Sequence, residues 1–164
     1  MSSTRTMGMG VTDVHVAYSA TDASSGPQLP LGFQYHQPAS DDDKGERVWI
    51  YVEASEGLVV GSVCSYIEAA TTVKVRKSLA NTHAGSVVGV AQHVIASGSF
   101  GFIQRSGAGQ VLGDAGGTTE DLGLIVGDAV GTADAAAAVT DASFGIAQES
   151  QASALAPAWL NCQG

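Results

Sequence analysis

The run Arg47 to Ala54, RVWIYVEA, has no polar face. Side chains alternate across an extended strand, so Val48, Ile50 and Val52 point one way while Trp49 and Tyr51 point the other. Aromatic and β-branched residues favour strand over helix. A strand apolar on both sides must be covered on both sides, which rules out a single sheet with one face in water. The sequence before it, LGFQYHQ from Leu31 to Gln37, is also strand-like, and the intervening PASDDDKGE is turn-forming, so the two runs are expected to make a hairpin.

The rest of the chain continues in short extended units. GSVCSYIE (Gly61 to Glu68) and TTVKVRKS (Thr71 to Ser78) come first, and in the second Val73 and Val75 alternate with Lys74 and Arg76. SVVGVAQHVI, GSFGFIQRSG, GQVLGD, LGLIVGDAV, DASFGIAQ and APAWLNCQ follow, each bounded by Gly, Asp, Ser or Pro. Part of this order repeats. Gly89-Val90-Ala91-Gln92 is answered by Gly145-Ile146-Ala147-Gln148, and Phe100 to Gln104 by Pro157 to Asn161. The 21 glycines in 164 residues disfavour helix, at about 1 kcal/mol per interior site. The expected fold is therefore all-β: a small antiparallel β-barrel, or a β-tulip or sandwich, spanning residues 30–164. Ala135 to Ala138 offers at most one helical turn. Residues 1–29 are rich in Ser, Thr, Gly and Ala and are expected to form an extended arm, with one strand-like patch at Val14, Val16 and Tyr18.

The net charge of −9 opposes binding to phosphate backbones, so no nucleic-acid partner is expected. Polar residues follow Met1, and no window approaches the roughly 20 apolar residues of a membrane span, so no membrane partner is expected either. Cys64 and Cys162 stand in apolar strand contexts and read as two small buried hydrophobes.

Catalytic and metal patterns are missing. His15, His36, His83 and His93 have no metal-site spacing, and neither cysteine has a close Cys or His companion. Gly107-Ala108-Gly109 lacks the strand and helix of a dinucleotide site and reads as hairpin glycine. Asp41-Asp42-Asp43 lacks the remaining ligands of a calcium loop. No enzyme activity, cofactor or metal is expected. The one basic cluster, Lys74, Arg76 and Lys77, is either a solvated face that discourages edge-to-edge pairing or a contact for an acidic surface.

Together, LGFQYHQPASDDDKGERVWIYVEASEGLVVGSVCSYIE, VVGVAQHVIASGSFGFIQRSG, FGIAQ and PAWLNCQ resemble the head decoration, or cement, proteins of tailed phages, over roughly Pro30 to the C-terminus. Gly61-Ser62 stands where that pattern more often has Gly-Asp. The resemblance implies a β-barrel or tulip domain, made in the host cytoplasm, that binds the outer capsid surface as a homotrimer. Its partner would be the major capsid protein, and its role to lock neighbouring capsomers together. Val14, Val16, Tyr18, Lys74, Arg76 and Lys77 are the expected contacts to the shell or to neighbouring subunits. Replacing the three cations by Ser is expected to slow binding at low salt, flatten its salt dependence and leave the thermal transition of the body nearly unchanged. The residues alone also leave open a glycan-binding β-sandwich that uses Trp49, Tyr51, Tyr66 or Trp159 as a stacking platform.

Overall fold

A computed structural model describes residues 11–12, 14, 26–39, 45–67, 72–137 and 143–164. Within them the chain forms β1 (Gln34–Gln37), β2 (Arg47–Ala54), β3 (Val63–Tyr66), β4 (Lys74–Lys77), a 3-10 turn (Ala84–Ser86) and β5 (Val87–Val90). Then come β6 (Phe100–Leu112), β7 (Leu124–Val126), β8 (Ala133–Ala135), β9 (Gly145–Ala147) and β10 (Leu155–Asn161). The fold is all-β, as expected. The Ala-rich run makes no helical turn among its described residues, because Ala135 ends β8 in ladder with Leu124. No described helix is long and apolar enough to cross a membrane.

Pairing in the order β2-β4-β3-β5-β6, with β6 returning to β2, closes a barrel. Four of its seams are antiparallel, and the β2–β4 seam is parallel. The expected hairpin forms: β1 extends the wall from β2, with Tyr35 opposite Trp49. Every barrel strand contributes to the interior, which holds Ile50 and Val52 from β2, Cys64 from β3, Val75 from β4, Val88 from β5 and Ile103 from β6. The other face of β2 carries Trp49 and Tyr51, which join Phe100 and Phe102 in a second cluster outside the barrel. Val11, Leu29 and Leu31 pack over that cluster. The amide of Gln28 also donates to the Tyr51 hydroxyl at 3.3 Å. Both faces of the strand are covered, and Trp49, Ile50, Tyr51 and Val52 are all buried.

GSFGFIQRSG and GQVLGD, read above as separate units around hairpin glycines, are one strand, β6. Its first half pairs with β2 and its second half with β10. The change of partner falls at Gly107, whose φ of 93° is open to glycine and strained for other residues. A Cβ there would run into the backbone of Glu46 and Arg47. Gln104 supports the change of direction. Its buried amide donates to the carbonyls of Ser106 and Ala108, both at 3.0 Å, one on each side of Gly107.

The internal repeat becomes a spatial one. β5-β6-β10-β9 is the end of the large sheet, so the two aromatic strands lie side by side and the two small-residue strands flank them. Gly89 approaches Ile103 so closely that a Cβ would sit 3.0 Å from that side chain, and Gly145 meets Leu160 and the Trp159 carbonyl in the same way. Small residues recur because each outer strand presses on its aromatic partner. A third core cluster, with Phe144, Leu124, Val111 and Leu160, fills the space under the short β7–β8 ladder.

Candidate functional site

The expected contact residues are placed unequally. Val14 is 37% exposed, while Val16 and Tyr18 lie outside the described residues. Lys74, Arg76 and Lys77 sit on β4, which is bonded to β2 on one side and β3 on the other. Because β4 is internal, the cluster does not guard a sheet edge. Nor do the three cations act as one surface. Lys74 Nζ lies 2.6 Å from Glu53 Oε1, so its charge is met within the barrel wall. The Lys77 amide donates to Glu56 Oε1 at 2.9 Å, and its aliphatic stem lies against Gly131. Arg76 has no ion pair among the described residues, and its Nε is buried without a hydrogen-bond partner.

Arg76 lines a cavity of about 480 Å³ with Tyr66, Leu79, Thr82, His83 and Ser86. A second cavity, about 400 Å³, is lined by Arg47, Trp49 and four glutamines, among them the repeat partners Gln92 and Gln148. Several of its polar groups are already used. Gln92 takes up the backbone of Gln110 through both amide atoms, at 2.9 Å each, and Gln104 is spent on the bend in β6. A third, about 290 Å³, has Trp159 as one wall with Glu46, Ser143 and Asn161 nearby.

Of the four aromatics considered for stacking, Trp49 and Tyr51 are buried in the cluster under Leu29 and Leu31. Tyr66 is half-buried, and Trp159 is 41% exposed. Among the described residues the outer edge of β1 is unpaired, and Tyr35 on it and Phe33 just before it are each 42% exposed.

No group of three His, Cys, Asp or Glu side chains among the described residues is placed to hold a metal. His36 Nδ1 lies 2.7 Å from Glu46 Oε1 on the surface, and His83 Nδ1 accepts from the Gly85 amide at 3.2 Å. His15 is outside the described residues. Cys64 and Cys162 are free and buried, and burial pushes both thiols up to about 12.

One carboxylate escaped the sequence reading. Asp114, 5% exposed, accepts from the amides of Gly116 at 2.8 Å, Gly117 at 3.0 Å and Asp128 at 2.7 Å. It ties two loops that are distant in sequence. The run Asp114-Ala115-Gly116-Gly117 hints at the near half of this knot, but nothing in the sequence marks Asp128 as the far half.

A closed β-barrel extended by a short-stranded sheet, with small cavities and, among the described residues, an unpaired strand edge, defines an all-β body that presents surfaces. Among solved structures, the chain is similar in fold to the head fiber gp8.5 N base of bacteriophage phi29. The TM-score is 0.52 and the identity 19%, over 70% of this chain and 94% of that one. The barrel expected from the resemblance to phage head proteins is thus also the fold of a phage head protein. No protein-family model matches the chain, and no curated protein does.

Proposed function

We propose that this chain is a structural protein of a phage virion. It binds the outer surface of the assembled capsid, contacts the major capsid protein and cements neighbouring capsomers. The observation that carries the reading is the shared fold with a head fiber base, which this chain matches over nearly all of that structure's length. The physics of cementing is mass-action linkage: a protein that binds the assembled lattice better than its separated subunits stabilises the lattice, and many copies sum the effect.

In this reading the body works as a homotrimer, so that several weak contacts act together. Residues 1–29 form the arm, attached to the body where Val11 and Leu29 cover the aromatic cluster. The patch Val14, Val16 and Tyr18 adds a strand to an open edge on a neighbour, and the outer edge of β1, unpaired among the described residues, is the edge it meets. Arg76 and Lys77 supply the cationic contact, with Lys74 reserved for Glu53.

Co-sedimentation tests this. The protein is expected to pellet with intact capsids, to raise their disassembly temperature, and to show no affinity for separated capsid subunits. Replacing Val14, Val16 and Tyr18 together by Ser should weaken pelleting and leave the body folded. Equal binding to capsids and to separated subunits would remove the cementing role.

A further inference from the structure

The cavity beside Arg76 carries a chemical pattern richer than a single cationic contact. Arg76 faces it from β4, directly across the ladder from Ser65. A guanidinium offers donors only, arranged as a fork that fits a carboxylate through two parallel bonds. Arg76 has no ion pair among the described residues, so its fork is open to such an acceptor.

The opposite rim is different. Thr82 Oγ1 donates its proton to the Leu79 carbonyl and Ser86 Oγ donates to the His83 carbonyl, both at 2.8 Å. Their protons are committed, and Ser86 Oγ also lies 3.4 Å from Ser65 Oγ, so Thr82 Oγ1 and the remaining lone pair of Ser86 Oγ face a ligand as acceptors. His83 Nδ1 accepts from the Gly85 amide, which leaves its ring proton on Nε2. Beside these polar groups stand the ring of Tyr66 and the exposed side chain of Leu79, an apolar surface suited to the C–H face of a sugar ring.

A ligand that satisfies this set brings a carboxylate at one end and hydroxyl donors at the other. Simple carboxylates lack the hydroxyls, and neutral sugars lack the charge. One cation in a chain of net charge −9 suits a single negative charge better than a multiply charged anion. A volume of about 480 Å³ admits a sugar ring and part of its neighbour. We propose that this cavity binds a hexuronate unit, as found in acidic polysaccharides, with Arg76 on the carboxylate and Thr82 and Ser86 accepting from ring hydroxyls. The site shares Arg76 with the proposed capsid contact, but ligand binding to it is testable on the isolated chain, with no capsid present.

The experiment is calorimetric and NMR titration of the full chain with trigalacturonate and methyl β-D-glucuronide, against methyl β-D-glucoside, acetate and inorganic phosphate. Saturable binding of either uronate is expected, with shift changes at Tyr66, Arg76 and His83. Arg76→Gln should weaken binding by about tenfold or more, as loss of a charge-assisted bidentate pair implies. Thr82→Val, nearly equal in shape, should weaken it as well, and it carries the test if Arg76→Gln fails to fold. The proposal is overturned if neither uronate binds, if the glucoside, acetate or phosphate binds as tightly, or if the weakening is absent in the folded variants.

Discussion

Lys74 Nζ and Glu53 Oε1 meet at 2.6 Å across the barrel's parallel seam, β2–β4. Both side chains are only partly exposed, at 33% and 18%, so water screens the pair incompletely. The seam is short, with Glu53 opposite Lys74 and Ala54 opposite Val75. Lys74→Met is expected to lower stability by about 0.5–1 kcal/mol, near the upper end for ion pairs at a surface. Urea denaturation measures it, with Lys77→Met as the milder comparison. By the same reasoning, joint replacement of Lys74, Arg76 and Lys77 by Ser should shift the thermal transition, contrary to the expectation from sequence.

Asp114 is expected to be among the costliest polar positions to change. Asp114→Ala would leave the amides of Gly116, Gly117 and Asp128 without their acceptor. Only the Gly117 bond is fully buried, and an unsatisfied buried donor costs about 1–3 kcal/mol, so a loss of about 1–3 kcal/mol is expected. Chemical denaturation checks the size. Amide exchange should show the loops at 114–117 and 127–128 opening first.

Asp134 has its carboxyl pushed above the usual range, chiefly by burial and then by the charges of Asp114 and Asp128. The folded state therefore takes up this proton at a higher pH than the unfolded chain does. Stability from this group rises as pH falls through its folded pKa, and it is lost as pH climbs above that point. Asp134→Asn, which keeps an oxygen for the Ala135 amide, should raise the melting temperature at neutral pH. The gain should shrink on acidification towards pH 4. A pH-independent difference would contradict the assignment.

The two thiols should be silent in the native protein. Burial holds both near 12, and Cys64 Sγ also donates to the Ser62 carbonyl at 3.3 Å. A thiolate is needed for attack on a disulfide reagent. Ellman's reagent at pH 8 should therefore label neither Cys64 nor Cys162 until denaturant unfolds the chain, when both react. Rapid labelling of the folded protein would disprove this.

What could be read in advance followed from local pattern. The doubly apolar Trp49-Ile50-Tyr51-Val52 announced a covered strand, and the Asp/Gly-rich turn announced its hairpin with β1. The repeated small-residue segments pointed to two like units, which the β6–β10 seam places together. What could not be read depends on partners far along the chain. Gly107 has the same local chemistry whether it turns a hairpin or bends a strand, and only the backbone of Glu46 and Arg47 decides between them. Lys74 and Arg76 have matching positions in the alternation, yet Glu53 answers one and not the other. Asp114 is recognised by backbone amides, which carry no sequence signature.

The continuity of β6 has a consequence for how the molecule comes apart. Phe100 to Leu112 is a single rod whose first half completes the barrel with β2 and whose second half anchors β10. Melting either half removes the template from which the other is aligned, so the barrel and its extension lose their independence as unfolding units. Its partners lie at positions 48–53 and 155–161, so both ladders close long loops and nucleation is slow. The same delay operates in reverse: the rod is hard to strip once both sides have zipped, which makes endurance of the folded state a matter of rate as much as of equilibrium.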